Sequence, residues 1–102
     1  MRQLFFTALA REDLLQIARY IARDNPERAR TFVGELRQRC SQLLDLPNLG
    51  IAREDCAKGL RVISHGRYLI FYCLEDNSIK VERVLHGARD ISRLFEKGGM
   101  DS

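Results

Sequence analysis

Residues 59–84 read GLRVISHGRYLIFYCLEDNSIKVERV, and the fold turns on this stretch. From Gly59 to Ser64 the period is two, the mark of a half-buried strand. His65-Gly66 is a tight-turn candidate. Tyr68 to Leu74 is apolar on both faces, as expected of a central strand covered on two sides. Asp76-Asn77 makes the next turn. Ile79-Lys80-Val81-Glu82 alternates again, and then Val84 falls out of phase. A bulge near Glu82-Arg83, or burial of both faces at that end, accounts for the slip. Three strands joined by such short turns predict an antiparallel meander.

Upstream the period changes to that of helices. Leu14, Ile17, Ala18 and Ile21 form one apolar stripe, with Arg11, Glu12, Asp13 and Gln16 placed off it. Thr7 precedes this helix as its N-cap, and Leu4-Phe5-Phe6 before it reads as a short strand. Asn25-Pro26 restarts the pattern, a capping side chain followed by a proline whose missing N–H costs nothing at the first helical position. Ala29, Phe32, Val33, Leu36, Cys40, Leu43 and Leu44 carry the second stripe, which ends at Leu46-Pro47. Two amphipathic helices so closely linked predict an antiparallel hairpin. Asn48 to Lys58 reads as irregular. Downstream of the meander, Ile91, Leu94 and Phe95 have helical spacing, with Asp90 as the expected cap, and Gly98-Gly99 opens a flexible tail. The expectation is an α+β fold of order β-α-α-β-β-β: an N-terminal strand, a helical hairpin on a small antiparallel sheet, and a short C-terminal helix. It forms a single domain over 1–97, with 98–102 as tail.

Composition narrows the function classes. The 102 residues are 45% hydrophobic and 30% charged, ordinary for a soluble domain. No apolar run approaches the roughly 18 residues of a membrane span, and Met1 to Phe6 is too short and too weakly basic for a signal peptide. A cytoplasmic protein is expected. Cys40, Cys56 and Cys73 are odd in number and lack a C-x-x-C spacing, so they read as reduced thiols, with no metal and no cofactor expected. The net charge is +3, and arginine outnumbers lysine 14 to 3 among the 17 basic residues. Between Ala57 and Arg89 the basic residues Lys58, Arg61, Arg67, Lys80, Arg83 and Arg89 outnumber Glu75, Asp76 and Glu82. Such a patch suits an acidic partner, nucleic acid or protein, and equally a solvated strand face.

Five landmarks, in order and spacing, resemble the RelE/ParE superfamily of bacterial toxins. They are Ala10-x-x-Asp13-Leu14-x-x-Ile17-x-x-Tyr20-Ile21; Asn25-Pro26-x-x-Ala29, closed by Leu43 and Pro47-x-x-Gly50; Gly59-Leu60-Arg61; Tyr68-x-Ile70-x-Tyr72; and Arg83-Val84-Leu85-His86-Gly87-x-Arg89-Asp90. The last is particularly ParE-like. The resemblance implies the toxin of a type II toxin–antitoxin pair, held inactive by a ParD-like antitoxin in a hetero-oligomer. It further implies DNA gyrase as target, with blocked replication. RelE-like members on the same fold are ribosome-dependent mRNA endoribonucleases, and fold alone does not choose between the two.

Metal-independent RNA cleavage needs a base, an acid and cations for the phosphate. If the chain were a nuclease, Arg61, Arg83 and His86 would be its catalytic residues. RelE-like nucleases, however, usually carry a functional tyrosine near the C-terminus, and no tyrosine follows Tyr72. The reading therefore leans to a non-catalytic gyrase inhibitor, with the nuclease and an inactive antitoxin-binding relic as alternatives. Target contact and toxicity are assigned to Arg61, Arg67, Arg83, His86 and Arg89, and antitoxin contact to Leu15, Arg19, Ala22, Leu69 and Phe71. Each has a plainer reading. Arg61 would pair with Glu82 or Asp90, His86 would bond the following backbone, Tyr68 and Tyr72 would fill the core, and His65 would be solvated in its turn.

Overall fold

The computed structural model describes residues 2–88; the expected C-terminal helix, the tail, Arg89 and Asp90 lie outside them. Strand β1 (Gln3–Phe6) leads into helix α1 (Ala8–Ala22), and α2 (Pro26–Ser41) runs on into a 3-10 turn at Gln42–Leu44. Strands β2 (Ile51–Ala52), β3 (Arg61–His65), β4 (Tyr68–Glu75) and β5 (Ser78–His86) follow. The helix starts are those read from sequence. The Thr7 hydroxyl accepts the Ala10 N–H at 3.0 Å, and Asn25 Oδ1 accepts that of Arg28 at 3.1 Å, each satisfying an otherwise free donor of the first turn.

The sheet order is β1-β5-β4-β3-β2, so β4 is central as its two-faced apolar pattern requires. The meander β3-β4-β5 is antiparallel. The sheet has two further strands, which makes it mixed. β1 joins one edge parallel to β5, pairing Gln3 with Ser78 through Phe6 with Val81. β2 joins the other edge antiparallel to β3, within the stretch expected to be irregular. The first turn is Gly66-Arg67 rather than His65-Gly66, since His65 still pairs with Tyr68; Gly66 supplies the positive φ of 60°. The second is Asp76-Asn77, with Asp76 at φ 52°.

The phase slip in β5 is a bulge. Tyr72 pairs with Val81 and Phe71 with Arg83, which leaves Glu82 as the extra residue. Val84 thereby returns to the helix-side core with Ile79 and Val81, while Leu85 joins a second cluster with Leu60 and Phe71. Both explanations offered for the slip thus hold together. Thr7 ties the bulge to α1, because its hydroxyl donates to the Glu82 carbonyl at 2.8 Å while capping the helix. The main core packs Leu14, Ile17, Phe32, Leu36 and Leu43 on Ile63, Ile70 and Tyr72. Each such buried side chain contributes roughly 1.5–3 kcal/mol.

Asp13 differs from its reading as an off-stripe residue. It is buried beside Ala10, Leu14 and Ile17. Its carboxylate takes both arms of Arg83, at 2.8 and 2.9 Å, and the Val84 N–H at 3.0 Å. β1 ends its pairing at Val81, so beyond that point β5 has an open edge, and Asp13 occupies the position a strand carbonyl would take.

Candidate target-binding groove

Five parts of the chain meet in an open groove of about 720 Å³. Tyr20 comes from the end of α1, Arg28 and Phe32 from α2, Arg67 from the β3–β4 turn, Tyr68 from β4 and His86 from the end of β5. The local sequence explains the convergence. The two-residue turn holds Arg67 at its tip, and its carbonyl accepts the Gly87 N–H at 2.8 Å, which closes the ends of the two hairpin arms together. Tyr68 pairs in register with His86, and their rings meet edge to face at 5.3 Å. Phe32 lies 5.5 Å from Tyr68 and 5.5 Å from His65, so the floor is aromatic.

The polar groups divide into satisfied and unsatisfied sets. Arg28 lies over the Phe32 ring at 5.1 Å and bonds Glu35 at 2.6 and 3.3 Å. Glu35 also meets His65 Nε2 at 3.1 Å, so His65 is half-buried in a pair rather than solvated. Hydrogen bonds from Arg28 first and His65 second hold the Glu35 carboxyl down at about 2. In contrast, the Arg67 guanidinium and the Tyr20 and Tyr68 hydroxyls have no hydrogen-bond partner among the described residues. Burial first, and Tyr20 second, push the Tyr68 phenol up, so it stays a neutral donor. The Ala88 N–H donates to His86 Nδ1 at 3.1 Å, so the ring proton sits on Nε2. His86 therefore does bond the following backbone, and it keeps its Nε2–H as a donor.

Other candidates lie elsewhere. Arg61 donates to the Gly50 carbonyl at 3.0 Å and, more weakly, to that of Asn48 at 3.4 Å; it does not pair with Glu82. Arg83 is held by Asp13. Neither lines the groove, so Arg61, Arg83 and His86 are not gathered there. Tyr72 is a core residue, with its hydroxyl donating to the Pro47 carbonyl at 2.8 Å and accepting the Gly50 N–H at 2.9 Å. Burial, and for Cys73 also Glu82, pushes the Cys40 and Cys73 thiols up to about 12. Among the described residues no cluster of His, Cys, Asp or Glu is built to hold a metal.

A second, apolar groove of about 390 Å³ runs between the two helices on their outer side. Ala18, Ala22, Pro26, Ala29 and Val33 line it, with Arg19 and Arg30. Leu15 lies one turn along α1 with 45% of its surface exposed. Two of the expected antitoxin contacts, Arg19 and Ala22, thus share one groove, whereas Leu69 is half-buried and Phe71 is fully buried with Leu60 and Leu85. Phe71 offers no surface to a partner in this conformation.

Of the target contacts assigned from sequence, Arg67 and His86 line this groove; Tyr20, Arg28 and the Asp13 lock were not read from sequence. For Asp13 a signal existed, because it falls at helical spacing between Ala10 and Ile17 on the buried stripe. For Tyr20 and Arg28 nothing local pointed to the groove.

A helical hairpin on a mixed five-stranded sheet, bearing a basic and aromatic groove at one end, defines a RelE/ParE-like α+β domain. A structure of the chromosomal ParDE toxin–antitoxin system from P. aeruginosa shares this fold, with a TM-score of 0.71 at 22% identity over 84% of this chain and 96% of that one. A search of curated proteins finds no significant match. The model of the ParE toxin family, the toxin of the parDE type II toxin–antitoxin system, matches residues 4–91. The chain belongs to the ParE toxin family, as the five sequence landmarks led us to expect.

Proposed function

We propose that this toxin acts in the cytoplasm by inhibiting DNA gyrase and so blocking replication, without catalysing a reaction, and that a ParD-like antitoxin neutralises it in a hetero-oligomer. The family match over residues 4–91 carries the reading. Its non-catalytic part is supported by the fate of the arginines a nuclease would need. Arg61 is spent on loop carbonyls and Arg83 on Asp13. Arg67 and His86 then remain as target contacts among the described residues. The antitoxin is assigned the apolar groove beside Arg19 and Ala22, with Leu15 next to it. A segment that folds on binding buries on the order of 1,000–3,000 Å², so it extends well beyond that groove and reaches Leu69 only by running round to the sheet's second cluster.

Purified toxin added to gyrase should abolish supercoiling while leaving mRNA intact on programmed ribosomes. Cleavage of ribosome-bound mRNA with unimpaired supercoiling would overturn the reading in favour of the endoribonuclease.

A further inference from the structure

The arginines of this chain are mostly committed to its own structure. Arg2 and Arg11 bond the Leu44 and Phe6 carbonyls, Arg37 lies over the Phe6 ring, and Arg39 bonds the Ser64 carbonyl. Arg28, Arg53, Arg61 and Arg83 are bonded as well. Among the described residues the side chains left without a partner are Arg19, Arg23, Arg30 and Arg67. Three of these cluster where α1 ends and α2 begins, and Arg67 lies in the groove that this corner borders. Asp24 and Glu27 share the corner and offset part of its charge. Arg19 and Arg30 line the apolar groove between the helices, so among the described residues Arg67 is the unpaired arginine that lines the aromatic groove, where it draws in anions.

The groove's own chemistry is more specific than charge. Its floor offers the half-buried Tyr68 ring, with Phe32 buried behind it beneath the Arg28 guanidinium, and among the described residues its partnerless donors are a guanidinium, two phenols and the His86 Nε2–H. Among the described residues no acid lines it; Asp13, in the adjoining pocket with Tyr20, Tyr68 and His86, is taken by Arg83, and Glu35 by Arg28 and His65. A planar ring suits the aromatic floor, since base–aromatic stacking tolerates any base. A phosphate suits a forked guanidinium backed by neutral donors. The volume of about 720 Å³ lies within the range of small-molecule sites.

We propose that the Tyr20–Arg67–Tyr68–His86 groove binds a nucleoside phosphate unit, with the base on the Tyr68 ring and the phosphate held by Arg67 and the neighbouring donors. The unit is either a free nucleotide or one residue of a single strand, and the recognition chemistry is the same for both. Binding here is a property separate from which macromolecule the toxin attacks.

The test uses the purified full chain, with amide and side-chain resonances followed as adenosine, AMP, a short single-stranded oligo(dA) and an acidic peptide containing one phenylalanine are each titrated in. AMP should shift the signals of Arg67, Tyr68 and His86, and adenosine should bind more weakly. Arg67→Ala should weaken AMP roughly tenfold or more, the loss expected when a charge-assisted bond is removed, with an unchanged melting temperature because Arg67 is an exposed turn residue. Tyr68→Phe keeps the ring and should weaken AMP by a smaller factor. An oligonucleotide that binds more tightly than AMP identifies a strand as the source, and equal affinity identifies the free nucleotide. The proposal is overturned if adenosine binds as well as AMP, if Arg67→Ala leaves AMP affinity unchanged, or if only the acidic peptide binds, which would make the groove a protein-docking site.

Discussion

Asp13 and Arg83 stand 70 residues apart in sequence and meet in a two-armed ion pair that also captures the open edge of β5. Arg83 retains only 16% side-chain exposure and Asp13 9%. Removing one partner of such a pair leaves an uncompensated charge, which costs about 3–5 kcal/mol. Asp13→Ala should therefore lower unfolding free energy by that order in a urea titration, and Arg83→Ala should do nearly as much. A loss within the range of an ordinary surface change, about 0.5 kcal/mol, would refute the lock. The sequence reading assigned Arg83 to toxicity; its burial and its two-armed carboxylate partner give it a part in the fold as well. Glu35 makes a second prediction at this scale. Its carboxyl is held at about 2 by Arg28 and then His65. A carboxyl depressed below its unfolded value of about 4.3 stabilises the fold above that value. The contribution then disappears as the pH falls through about 2. A carbon-detected titration of Glu35 should give a midpoint near 2, and Arg28→Ala should move it upward.

At the scale of elements, the loop between α2 and β2 is pinned by side chains from the sheet. The Tyr72 hydroxyl holds the Pro47 carbonyl and the Gly50 N–H, and Arg61 holds the Gly50 carbonyl. Gly50 is required by close approach, since a Cβ there would lie 2.7 Å from the Tyr72 hydroxyl oxygen and 2.8 Å from the Val62 carbonyl. Tyr72→Phe should cost about 1–3 kcal/mol, because the Gly50 N–H and Pro47 carbonyl lose a partner inside the fold. Amide exchange at Gly50 should accelerate more than the global loss of stability explains. Exchange that rises uniformly along the chain would show that the hydroxyl does not specifically hold this loop. This pinning also explains why β2 escaped the sequence reading. Two residues cannot display a period, and Ile51 and Ala52 are both exposed.

At the scale of the whole molecule, the helical hairpin separates two surfaces of different character. On one side of α1, Tyr20 enters the aromatic groove; on another, Ala18, Arg19 and Ala22 line the apolar groove against α2. Ala22→Glu places a charge in that apolar groove, and Leu15→Glu changes a side chain that is already 45% exposed. Both variants should stay folded by circular dichroism and lose antitoxin affinity by roughly tenfold or more, given what an unpaired buried charge costs. Unaltered affinity in both would move the antitoxin to a different face. Arg67→Ala on the other side should leave antitoxin binding intact while altering the aromatic groove, so the two surfaces are separable by mutation.

Local chemistry in the sequence determined the described elements and their order, β2 excepted. The periods of 3.6 and two, the Thr7 and Asn25 caps, and the Asp76-Asn77 turn each act over a few residues, and each formed where it was read. The slip at Val84 announced the bulge because a period of two records any added residue. Those same local patterns, in sequence, were enough to indicate the toxin family. Tertiary structure alone decided which distant residues became neighbours: β1 parallel to β5, Asp13 with Arg83, Arg61 with the Asn48–Gly50 loop, and Tyr20 and Arg28 with Arg67 and His86. A charge or a phenol carries no local record of its partner. An arginine in a strand reads alike whether it meets solvent, a target or a buried carboxylate, and only the register of β5 and the packing of α1 against its open edge choose among them.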